Sequence, residues 1–184
     1  SKLFLVENID DKSYKKIINY AKKRCGGEPI TKLFKKAYFY GLEFYVNTDV
    51  LSPRQETELL VEKALQEVKN DSKVLDLCTG SGAIANSLAK NSCAKVTASD
   101  ISKKALKVAK KNAKNLGANI KFIQSNMFDK VKEKFDIIVS NPPYIASQDV
   151  NNLEREVKDY DPVLALDGGV DGLEFYTIIA KESP

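Results

Sequence analysis

The sequence has no histidine in its 184 residues and only three cysteines, Cys25, Cys78 and Cys93, none of them in a Cys-x-x-Cys pair. Without histidine there is no Ser/His/Asp or Cys/His catalytic unit, and with so few thiols a zinc site or a disulfide framework has almost nothing to be built from. No apolar run approaches the roughly 20 residues that a membrane-spanning helix needs, so no membrane partner is expected. Ser1 to Val6 is too short an apolar stretch for a signal peptide, and acidic residues follow at once. A reducing, cytoplasmic setting is the expectation.

What is present suits one α/β domain with a small appendage. The net charge is +4, unevenly spread: residues 1–36 hold ten Lys or Arg against four Asp or Glu. A second lysine cluster runs from Lys90 to Lys114, and 149–174 is acidic. Such basic clusters fit RNA, the ribosome or an acidic protein face, and equally fit solvated helix faces. Tyr14, Ile17, Ile18 and Ala21 recur at helical spacing, so 13–24 reads as an amphipathic helix stopped by Cys25-Gly26-Gly27. Residues 37–46 are aromatic and β-prone around a central glycine, a hairpin or cover strand. Leu60, Val61, Ala64, Leu65 and Val68 form a helical stripe over 57–68. From Lys73 onward, apolar runs at 74–77, 95–98, 120–123 and 135–139 alternate with helical patterns at 83–90, 102–116 and 173–180. Strands alternating with helices argue for a mostly parallel sheet with helices on both faces. The expected division is a basic helical segment over 1–36, a hairpin and lid linker over 37–56, and the main domain over 57–184. Such a sheet would normally carry further strands after the last helix, so the chain reads as carboxyl-terminally incomplete.

The first strand runs into Cys78-Thr79-Gly80-Ser81-Gly82, a glycine turn that lets a ligand approach the main chain. A Walker loop would need Lys after its last glycine, and Ala83-Ile84 stand there instead. A dinucleotide fingerprint stays open, with Ala85 as its third small residue. Asp100 closes the second strand, where an acidic side chain can accept hydrogen bonds from both hydroxyls of a ribose. Ser102 is the better helix cap, which leaves Asp100 for a ligand. The fourth strand ends in Asn141-Pro142-Pro143-Tyr144. Two prolines supply no N–H and hold rigid extended geometry, so the local acceptors face no competing donors. The side-chain oxygen of Asn141 and the carbonyl of Pro142 can each accept one hydrogen of a planar NH2 group, on which Tyr144 can stack.

Asp76-Leu77-x-Thr79-Gly80-Ser81-Gly82, Asp100 and Asn141 to Tyr144 together resemble the S-adenosylmethionine-dependent amino-methyltransferases of the Rossmann-like class. With Phe44-Tyr45-Val46 through 51–62, and Tyr160-Asp161-Pro162 followed by 165–173, the chain is similar over about 28–182 to the HemK-type protein-(glutamine-N5) methyltransferases. That resemblance implies an enzyme using S-adenosyl-L-methionine to methylate the glutamine of the Gly-Gly-Gln motif in peptide-chain release factors. It implies a methionine-binding turn at Cys78 to Gly82, a ribose ligand in Asp100, and adenine contacts from Asn126 and Met127. Asn141, Pro142 and Tyr144 would be catalytic, with Pro143 completing the substrate loop, and Arg54, Glu56 and Thr57 would organise a lid. Cys78 stands where the family usually has Gly, Gln55 replaces the second Pro of a Pro-Arg-Pro motif, and Asn126 replaces the usual Asp. The competing reading is methylation of an exocyclic amine on a nucleic-acid base, for which the same acceptor pair would serve. Asp149, Glu154 and Glu156 near Asn141 disfavour a phosphate backbone, so no stable nucleic-acid binding is expected.

Overall fold

Asp10 opens helix α1 (Asp11–Cys25) by accepting the amides of Lys12 and Ser13, in a computed structural model that describes residues 9–183. The expectations for Ser1 to Val6 and for Pro184 lie outside the described residues. None of α1 is buried, so its apolar stripe of Tyr14, Ile17 and Ile18 stays exposed, and Tyr20 meets Phe34 edge-on at 5.0 Å. Phe34 ends the short helix α2 (Ile30–Phe34).

A hairpin follows, with β1 (Lys36–Phe39) antiparallel to β2 (Leu42–Tyr45). Its turn is Tyr40-Gly41 with φ of 49° and 71°, the left-handed pair that matches the twist of the flanking strands. Alternation turns Ala37, Phe39 and Phe44 inward, and the two phenylalanines pack edge to face at 6.2 Å. A 3-10 turn over Gln55–Thr57 leads into α3 (Glu58–Glu67), where Val61 and Ala64 are buried.

The main sheet has four parallel strands in the order β5-β4-β3-β6: β3 (Lys73–Leu77), β4 (Lys95–Asp100), β5 (Ile120–Gln124) and β6 (Ile137–Ser140). Helix α4 (Ala83–Asn91) follows β3 and α5 (Lys103–Leu116) follows β4, the crossover pattern that parallel strands require. Helices against the sheet explain why β3 reads Val-Leu-Asp-Leu without alternation, buried throughout. One core gathers Val61, Val74, Leu88, Val96 and Val139 with the hairpin phenylalanines, and a second joins Leu75, Leu77 and Met127 to Phe175 and Ile178. The latter two lie on α7 (Glu174–Glu182). Between β6 and α7, a long connection carries the short helix α6 (Arg155–Lys158). Among the described residues, β6 has a partner only in β3, and no helix is long and apolar enough to cross a membrane.

Candidate active site

The glycine turn, Asp100, Asn126-Met127 and Asn141 to Tyr144 all lie at or just beyond the carboxyl ends of parallel strands, where the loops converge. Asp76 organises the first of them. Its fully buried Oδ2 accepts from Thr79 Oγ1 at 2.5 Å and from the Ala85 amide at 3.0 Å, which bends the chain from β3 into α4. Burial, with the Asp100 charge adding to it, raises this carboxyl to about 7. Gly82 takes φ 80°, and a Cβ there would lie 2.9 Å from Asn86 Nδ2 and 3.0 Å from the Ala109 Cβ. It shapes the turn and does not line the cavity above it, unlike the four residues before it.

Cys78 holds φ 60°, a left-handed conformation costing a non-glycine residue on the order of 1 kcal/mol, which is the physical reason a glycine suits this place. Its thiol contacts the Met127 sulfur at 3.8 Å, and burial beside Asp100 and Asp76 pushes it up to about 12. Asp100 is less free than the sequence suggests. Ser102 does cap α5 through the Ala105 amide, but Asp100 Oδ1 accepts the Ser102 amide at 2.8 Å and Oδ2 the Gly80 amide at 2.8 Å. Burial raises its pKa and these two hydrogen bonds lower it. The bonds aim the carboxylate, and each oxygen retains a further lone pair.

A cavity of about 170 Å³ opens over these loops. Cys78, Thr79, Gly80, Ser81, Asp100, Asn126, Met127, Asn141 and Pro143 all reach it, and 49–54 and Ala165 line it as well. A separate groove of about 470 Å³ is lined by Leu60, Tyr144, Ile145, Leu153 and Glu56. Asn141, Thr57 and Arg54 belong to both walls. Asn141 Nδ2 donates to Thr57 Oγ1 at 3.3 Å, while its Oδ1 has no protein partner among the described residues. Pro142 is buried and lines neither space, and no donor among the described residues takes its carbonyl.

Three supports have roles that the sequence reading did not assign, although Asp161 and Gly168 lie in motifs that carry the family resemblance. Gly168 lies against the Asn141–Tyr144 loop so closely that a Cβ would come 2.7 Å from the Tyr144 Cα, and Ile145 exchanges hydrogen bonds with Leu166 and Gly168. Asn112 of α5 pairs with both backbone groups of Tyr45 and donates to Ser81 O, fastening the hairpin to the glycine turn. Lys32 is buried and meets Asp161 at 2.8 Å. Only the glycine cluster at 168–172 carried a visible signal; an asparagine in a lysine-rich helix and one lysine among the nine of residues 1–36 carry none.

The methyltransferase small domain family matches residues 52–168. A release factor glutamine methyltransferase of Clostridium acetobutylicum is 43% identical over 99% of this chain and 68% of its own length. Its counterpart in Bacillus subtilis is 46% identical over 86% of this chain. The chain spans 58% of the Bacillus subtilis protein and 59% of that from Agrobacterium fabrum. Among solved structures, a Thermus thermophilus 16S rRNA N2 G1207 methyltransferase in complex with AdoMet and guanosine aligns at TM-score 0.51 and 24% identity, over 61% of this chain and 33% of that one, a likeness of fold alone. Motifs, loops and relatives agree: this chain belongs to the methyltransferase small domain family and, within it, to the release factor glutamine methyltransferases.

Proposed function

We infer that the chain transfers the methyl group of S-adenosylmethionine to the side-chain nitrogen of the glutamine in a release factor's Gly-Gly-Gln motif, in the cytoplasm. The observation that carries this reading is Asn141, set in the wall common to two spaces with its Oδ1 unengaged. One space suits the cofactor. Open space above Gly80, where a Cβ would meet nothing within 4 Å, leaves backbone accessible to the methionine portion. Asp100 offers acceptors for ribose hydroxyls, and Asn126 with the buried Met127 offers an edge and a face for adenine. The bound sulfonium supplies an electrophilic methyl group.

An amide nitrogen is a weak nucleophile because its lone pair is delocalised into the carbonyl. Asn141 Oδ1 accepts one of its hydrogens, holds it at the junction and favours pyramidalisation as the N–CH3 bond forms and the S–CH3 bond breaks, whereas the expected second acceptor, the Pro142 carbonyl, belongs to a buried residue that lines neither space. The methylated nitrogen is strongly acidic, so its proton passes to solvent without a strong base, and a site without histidine suffices. Tyr144 lies 59% exposed on the groove side, placed to cover the amide plane. The groove is a poor track for a polyanion: Glu56 lies in it, and among the described residues Arg54 is the only cation that lines it.

The test is incubation with labelled S-adenosylmethionine and purified release factor, with tRNA, rRNA and DNA as parallel acceptors. Label in the Gly-Gly-Gln peptide is the expected outcome. Label confined to nucleic acid would establish the base-methylating alternative instead.

A further inference from the structure

Lys32 is the one lysine among the described residues that the fold buries. Its ammonium donates to the carbonyls of Asn47 at 2.8 Å and Val50 at 2.5 Å and pairs with Asp161 Oδ1 at 2.8 Å, with both charged side chains only 2–3% exposed. Two of its protons therefore have backbone acceptors and Asp161 meets the ammonium as a close ion pair, while burial, the largest influence, lowers the Lys32 pKa against the pull of that carboxylate. The other Asp161 oxygen receives Arg54 Nη2 at 3.3 Å. Among the described residues, Arg54 is the only cation lining the cavity, where the other ionic groups are the carboxylates of Asp49 and Asp100. Lys32 itself lies outside the span 52–168 that the family match covers.

We propose that Lys32, acting through Asp161, is a positioning residue that aims the Arg54 guanidinium at the anionic amino-acid end of the cofactor, coupling α2 to the cofactor site. This rests on the S-adenosylmethionine reading above. That molecule carries one anionic group, its α-carboxylate, and a guanidinium held on one edge by Asp161 keeps its other N–H groups for such a partner. Without Lys32, Asp161 would be a buried carboxylate with a half-exposed arginine as its only counter-charge. It would draw Arg54 inward or take up a proton, and either change removes the fixed aim.

The test is calorimetric binding of two ligands to the full chain: S-adenosylhomocysteine, which keeps the carboxylate, and methylthioadenosine, which keeps the nucleoside and lacks the amino-acid end. Lys32→Met and Arg54→Met should each weaken the first by about tenfold and leave the second within about twofold, the scale of one charged hydrogen bond. The double variant should bind no more weakly than Arg54→Met alone, because residues acting through one network are not additive. Asp161→Asn, which keeps shape and an acceptor for Lys32, should show the same discrimination and serves if Lys32→Met does not fold. Equal losses for both ligands, or losses that add, overturn the proposal while leaving the function intact. A wild type that binds neither ligand overturns the cofactor reading and this inference together.

Discussion

Asn141 and Asp100 project into the same cavity and should fail in different ways. In the proposed reaction Asn141 Oδ1 accepts from the reacting amide, so Asn141→Ala should cut turnover about a hundredfold while cofactor affinity changes little, by analogy with losing one oxyanion-hole donor. Asn141→Asp keeps an oxygen in place and should retain more activity on release factor than Ala does; steady-state methylation of the two variants decides it. Asp100→Ala should instead weaken S-adenosylmethionine binding by about 1.5–3 kcal/mol, measured by calorimetry on a variant whose melting temperature shows it folded. The cysteines separate just as clearly. Cys25 and Cys93 are exposed, whereas the Cys78 thiol is pushed up to about 12 by burial and two carboxylates. Iodoacetamide near neutral pH should therefore label Cys25 and Cys93 in the folded protein and spare Cys78, a pattern read by peptide mass spectrometry.

Elements announced themselves wherever a period was clean. The stripe Ala105, Val108, Ala109 shows α5 in sequence, and the structure buries those residues. The same helix carries Asn112, 1% exposed, whose amide joins strand β2 to the glycine turn. A leucine at this place would suit the helical pattern equally well, so the pattern could not reveal that partners 67 and 31 residues away need an amide. Asn112→Ala leaves the Tyr45 amide and two carbonyls short of partners and should cost about 3 kcal/mol by urea denaturation, from the usual penalty for unsatisfied buried groups. If the loss stays near that of an exposed Asn→Ala, water replaces the amide and the hairpin is not fastened by it.

Across the molecule, stability should depend on pH through Asp76. Its carboxyl titrates near 7 in the fold against about 4 unfolded, so between these values the folded chain holds more protons. Stability from this group is thus present at low pH and lost as pH rises through about 7. Asp76→Asn should flatten that fall, and urea midpoints from pH 4 to 8 would show it; parallel curves for both proteins would mean the group titrates normally. What the sequence determined alone was local: the strand–helix alternation, the glycine turn, the cap at Ser102, the Asn141-Pro142-Pro143-Tyr144 segment after β6, and through these motifs the family. Each depends on neighbouring residues, on backbone preferences with periods of two or 3.6 that a linear reading detects. Tertiary structure alone decided the strand order β5-β4-β3-β6, the partnership of Asp100 with the Gly80 amide, and the division of the site into two spaces meeting at Asn141. It also paired Arg54 with Asp161 across 107 residues and buried Lys32 against the same carboxylate. Such contacts form only when the collapse of a common core brings distant segments within a few ångströms, and no local preference encodes which charges will meet there.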